Sequence, residues 1–165
     1  MPLLEVALNG HRTPAEHPAI PRTPAELARE ARASVDAGAE VLHVHAYEDG
    51  EETFAAEPCA AMLRAIREAC PGVPISQTTA LYIAGDDPER LLALIVGWTE
   101  LPELVTANQG EPGIAELCER STAATSSRAG PFTNDLVTDC YLRGTVGSWD
   151  GPARLAVSNL ATVCH

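Results

Sequence analysis

Val41-Leu42-His43-Val44-His45 is the stretch whose reading decides the fold. Apolar residues surround two imidazoles spaced i, i+2. Successive side chains of a strand point to opposite faces, so His43 and His45 project from one face while Val44 points from the other. Two neutral imidazoles side by side on one face form a half-site for zinc. The bland alternative is a strand that carries one packed histidine and another at its end.

Working outward, the strand is one of a series. On its amino-terminal side, Leu3 to Leu8 reads as a first strand that turns at Asn9-Gly10. A proline-studded loop, Thr13-Pro14-Ala15-Glu16-His17-Pro18-Ala19-Ile20-Pro21, follows and is too long and stiff for a mere connector. Thr23-Pro24-Ala25-Glu26 starts a helix: Thr as N-cap, Pro at the first position, Glu three residues after the cap. That helix runs through Leu27, Ala28, Ala31 and Val35 to Gly38. On the carboxyl-terminal side come an acidic loop, Tyr47 to Glu52, and a helix through Met62, Leu63, Ile66 and Cys70 that Pro71 and Gly72 stop. Val73 to Thr79 is a third strand, with Pro74 near its start, where a missing donor is tolerable. Asp86 or Asp87 caps a third helix, Pro88 to Trp98, and Leu104 to Asn108 is a fourth strand. Strands alternating with amphipathic helices predict a parallel α/β sheet.

A full (β/α)8 TIM barrel takes about 250 residues, so four βα units make about half of one. An open doubly wound sheet is the competitor, although no GxGxxG follows the first strand. Polar residues gather where the strands end: Asn9, His43 with His45, Thr78 with Thr79, and Thr106 with Asn108. In a barrel those ends open onto one face, which carries the chemistry. Taken singly, such hydroxyls and amides more often cap helices or satisfy loop backbone.

Composition narrows the partners. The 165 residues carry a net charge of -12 and contain no lysine, which argues against nucleic acid and anionic membrane surfaces. Cys59, Cys70, Cys118, Cys140 and Cys164 form no CxxC pair and read as thiols of a reducing compartment. No basic-then-apolar leader opens the chain and the Leu3–Leu8 run is too short to span a bilayer, so a cytoplasmic location is expected.

Ala7-Leu8-Asn9-Gly10, the loop from Thr13 to Pro21, Leu42-His43-Val44-His45, Ile75-Ser76-Gln77-Thr78-Thr79 and Asn108-Gln109-Gly110-Glu111-Pro112-Gly113 occur in that order. Together they resemble the β-keto acid cleavage enzymes, whose founding activity is 3-keto-5-aminohexanoate cleavage in lysine fermentation. The resemblance covers residues 3 to 118. It implies a zinc-dependent TIM barrel, an acyltransferase that condenses a β-keto acid with acetyl-CoA to give acetoacetate and a new acyl-CoA. It further implies that His43 and His45 bind Zn2+ and that Thr78, Thr106 and Asn108 hold the substrate carboxylate. The third zinc ligand it implies is a glutamate on a late strand, with the acid–base groups beside it. Glu111 and Glu116 are poor substitutes by position.

The sequence also departs from that family. Arg12 stands where the aminohexanoate-cleaving member has a glutamate, so either it favours substrates without a positive charge or it is simply solvated. Tyr47 replaces an arginine frequent after the His-X-His, and its charge is expected to be missing. The first 118 residues hold 19 acidic and 7 basic residues and the last 47 hold 4 and 4, so the charge sits wholly in the first part. Residues 1–118 are therefore read as the amino-terminal half of a β/α barrel. Residues 119–165 are read as a divergent or frame-shifted tail with little regular structure, or as a polar linker to a small element. Activity is expected to be weak or absent in this form. The alternatives are a non-catalytic half barrel that needs a partner chain and an amidohydrolase-like metal hydrolase, in which a His-X-His pair sits on the first strand. Exposed sheet edges and apolar residues, among them Val6, Leu8, Leu42, Val44, Ile75 and Val105 on an inner face, predict a homo-oligomer.

Overall fold

A computed structural model describes residues 4–13, 15–108 and 110–117; the tail expected over 119–165 lies outside them. In chain order the elements are β1 (Glu5–Ala7), α1 (Pro24–Asp36), β2 (Val41–Val44), β3 (Tyr47–Glu48), β4 (Glu51–Glu52), α2 (Ala56–Ala69), β5 (Ile75–Gln77), a 3-10 turn (Leu81–Ala84), α3 (Pro88–Val96) and β6 (Leu104–Val105). The strands β1, β2, β5 and β6 form one parallel sheet in that spatial order, and β3 pairs with β4 in a separate antiparallel hairpin.

Local chemistry sets the helix starts. Thr23 and Glu26 form the reciprocal capping box, with Pro24 in the first turn. At α3, Asp87 is the cap: its side chain accepts from the amides of Glu89 and Arg90, with Pro88 following. The acidic stretch after β2 differs from the sequence reading. It is a tight hairpin rather than a loop, because Asp49 and Gly50 both take positive φ, 51° and 87°, as a two-residue type I′ turn requires.

One core lies between the sheet and its helices. Leu42, Val44 and Ile75 are fully buried in a single cluster with Leu27 and Ala31 of α1, Cys59, Met62, Leu63 and Ile66 of α2, and Leu91, Leu92 and Ile95 of α3. Val6, Leu8 and Val105 pack against the same cluster. These residues therefore do not form an uncovered inner face, as the sequence suggested. The parity of the strands places them on the helix side. The register aligns Ala7, His43, Ser76 and Leu104 across the sheet and Val6, Leu42 and Ile75 in the alternate row. The face opposite the core consequently carries Glu5, Ala7, Val41, His43, Ser76 and Leu104.

Strand order follows chain order with no reversal, and all three crossover helices share one core. A doubly wound sheet reverses its order at a switch point; among the described residues this sheet does not. No helix among the described residues is long and apolar enough to cross a membrane.

Candidate functional site

The His pair ends β2 on the face away from the helices. His43 and His45 approach through Nε2 at 3.2 Å, their rings nearly perpendicular with centroids 5.2 Å apart. The other nitrogens have different partners. His43 Nδ1 lies 3.3 Å from Ser76 Oγ on the neighbouring strand. His45 Nδ1 pairs with a carboxylate oxygen of Glu52, at the end of the hairpin. Tyr82, in the 3-10 turn, donates its hydroxyl to the same carboxylate at 2.8–2.9 Å.

Asn9 fixes the backbone at this point. Its amide nitrogen donates to His45 O at 2.9 Å and Pro21 O at 3.2 Å, and its oxygen accepts from His45 N at 2.9 Å. A side-chain amide thereby continues the ladder of β1 and β2 past the last strand residue. Arg22 binds the proline loop to the hairpin: Nη1 donates to Gly50 O at 2.5 Å, Nη2 to Arg12 O at 3.0 Å, and the guanidinium lies 4.5 Å from the centroid of the Tyr47 ring. Position 47 thus lacks an arginine but still has a guanidinium over it. Tyr47 in turn donates to Gly10 O.

Electrostatics keep the site in defined forms. Burial, followed by the neighbouring His45 imidazole, lowers the His43 pKa to about 4, so His43 is neutral at neutral pH. Burial raises the Glu52 carboxyl, but hydrogen bonds from His45 and Tyr82 outweigh it and the net shift is downward. Burial raises Tyr47 to about 12.

The expected carboxylate-holding residues occupy neighbouring strand ends with structural partners of their own. Thr78 is buried, and its hydroxyl accepts from the Ala80 amide at 3.2 Å. Thr79 donates to Thr106 O. Asn108 Nδ2 donates to Glu111 Oε1 at 3.0 Å, and that carboxylate also accepts from Leu81 N at 3.2–3.3 Å, capping the turn that carries Tyr82. Arg12 is exposed in the proline loop. The structure thus brings His43 and His45 together and links Asn108 through Glu111 to the turn beside Glu52, while Arg12 projects from the loop. Sequence reasoning missed Glu52, Tyr82 and Ser76. The Asp49-Gly50 turn signal would have placed Glu52 opposite Tyr47, next to the strand end.

Zinc, the implied metal, fits the two nitrogens. Two imidazole nitrogens at 2.0–2.1 Å from a tetrahedral ion stand about 3.3–3.4 Å apart, close to the 3.2 Å found here. A carboxylate on the far nitrogen of a ligating imidazole is the usual second shell of such sites. Among the described residues no third His, Cys, Asp or Glu joins the pair to make a group that could hold a metal ion.

Fold and site together define an α/β protein of sequential parallel topology with a polar, histidine-bearing strand end. The chain belongs to the beta-keto acid cleavage enzyme family, whose model matches residues 3–146. It is similar to a 3-keto-5-aminohexanoate cleavage enzyme of Fusobacterium nucleatum, with 39% identity over 111 residues covering 66% of this chain and 39% of the relative. The same-named enzyme of Acetoanaerobium sticklandii is 38% identical over 91 residues, covering 54% of this chain and 33% of that protein. The chain thus spans well under half the length of these relatives.

Proposed function

We propose that the chain is part of a (β/α)8 barrel enzyme that takes a β-keto acid and acetyl-CoA to acetoacetate and a new acyl-CoA in the cytoplasm, with zinc at His43 and His45. The convergence of the two Nε2 atoms at the end of β2 carries this reading. Zinc held there would supply Lewis-acid polarisation of the substrate's keto oxygen. The chain's own residues do the rest: His43 and His45 present lone pairs, Thr78, Thr106 and Asn108 receive the carboxylate end, and Arg12 meets the tail. Fixed donors at strand ends align the substrate without reorganisation. With two ligating nitrogens among the described residues, weak turnover is expected.

Acetyl-CoA-dependent consumption of β-keto acids by the zinc-loaded chain tests this. We expect slow turnover that is lost in His43→Ala, and a higher kcat/KM for plain or acidic β-keto acids than for aminated ones. Arg12→Glu should reverse that preference, by up to about 2–3 kcal/mol if the charges meet. Turnover undiminished in His43→Ala would refute the site, and a preference for the aminated substrate would refute the role of Arg12.

A further inference from the structure

The hairpin places a carboxylate against His45. Glu52 lies seven residues after His45, and their side chains are only 13% and 10% exposed. Its carboxylate accepts from Tyr82 through both oxygens, at 2.9 and 2.8 Å, and faces His45 Nδ1 through Oε1. A carboxylate so placed is an acceptor, so in the neutral imidazole Nδ1 is the protonated nitrogen. The lone pair then falls on Nε2, the atom aimed at His43.

From this geometry we propose that Glu52 and Tyr82 are positioning residues: Glu52 holds His45 in the Nδ1–H tautomer, and Tyr82 holds Glu52. The inference rests on the zinc reading for its purpose but not for its observation, because the tautomer is a property of the metal-free protein. Three devices fix the pair. The Asp49-Gly50 turn returns the chain so that Glu52 stands opposite Tyr47. Thr53 N donates to Ala46 O at 3.0 Å and closes the base of the hairpin. Glu111 caps the turn bearing Tyr82 and binds Asn108. The tautomer of one ligand is thereby tied to the strand end proposed to hold the substrate carboxylate.

Nitrogen-15 spectra of histidine-labelled, metal-free full-length chain at pH 7.5 read the tautomer directly. In the parent, His45 should show a protonated Nδ1 and a lone-pair Nε2. Glu52→Gln should keep that form, because the amide oxygen still accepts. Glu52→Ala should shift His45 toward the Nε2–H form that free imidazoles of histidine prefer. In zinc titrations Glu52→Ala should lose about 10–100-fold in affinity, with smaller losses for Glu52→Gln and Tyr82→Phe. A parent His45 with Nε2 protonated, or protonated on both nitrogens, overturns the proposal. So does a folded Glu52→Ala chain with unchanged tautomer. If Glu52→Ala does not fold, the parent and Glu52→Gln spectra still decide. Zinc binding unaffected in His43→Ala/His45→Ala would instead overturn the metal reading and leave the tautomer result standing.

Discussion

Asn9 shows how a single side chain holds the backbone of the site. Its amide bonds both the N–H and the C=O of His45, a pairing that the first strand is too short to make. Removing it leaves two partly buried backbone groups unpaired. We expect Asn9→Ala to lower stability by about 1–3 kcal/mol in urea denaturation, and a loss under about 0.5 kcal/mol would contradict this role. The His-X-His pair was legible in the sequence because strand parity alone sets both imidazoles on one face. Glu52 was not, because its approach to His45 depends on a turn and not on a periodicity. Asn9, Thr78 and Thr79 could be placed at strand ends, but not their partners, since a hydroxyl or amide in a loop finds its partner only once the chain has folded.

At the scale of elements, the sequence reading of α1 and α3 holds to within two residues because their caps are chemically explicit, whereas α2 starts behind Ala55, which makes no side-chain cap bond. The capping box of α1 also makes a pH prediction. Backbone hydrogen bonds from Thr23 and Arg22 hold the Glu26 carboxyl down to about 2. A folded-state pKa below the unfolded value stabilises at higher pH: the contribution is complete above the ordinary value of 4.5 and is lost as pH falls toward about 2. Thermal midpoints of the parent and Glu26→Gln should therefore differ most at neutral pH and converge on acidification through that window. A difference that stays constant between neutral pH and pH 2 would contradict it. Acidic residues dominate the hairpin and mask it in the sequence, with Glu48 opposite Glu51. Such like-charge pairing is unfavourable, and the Asp-Gly turn and the hold of Arg22 on Gly50 offset it. At Gly113 the constraint is a close approach: an added Cβ would stand 2.6 Å from Pro88 Cβ, with φ at +78°.

At the scale of the whole molecule, the order of strands and the single core agree with the first βα units of a barrel. The side of the sheet facing that core was misread from composition, because Val and Leu alternate with residues of the other face and only the register says which row meets the helices. Association now rests on different grounds than an uncovered apolar layer. Among the described residues β1 and β6 each pair on one side only, and open edges of parallel sheets recruit partners. We expect light scattering to give a dimer or larger species; a monodisperse monomer would contradict this. The most direct test of the account is zinc calorimetry on the full chain beside His43→Ala/His45→Ala. The pair should bind a single zinc weakly, as two protein ligands do, and the double variant should bind none while keeping its fold. No binding by the parent, or tight binding that survives loss of both histidines, would contradict the account.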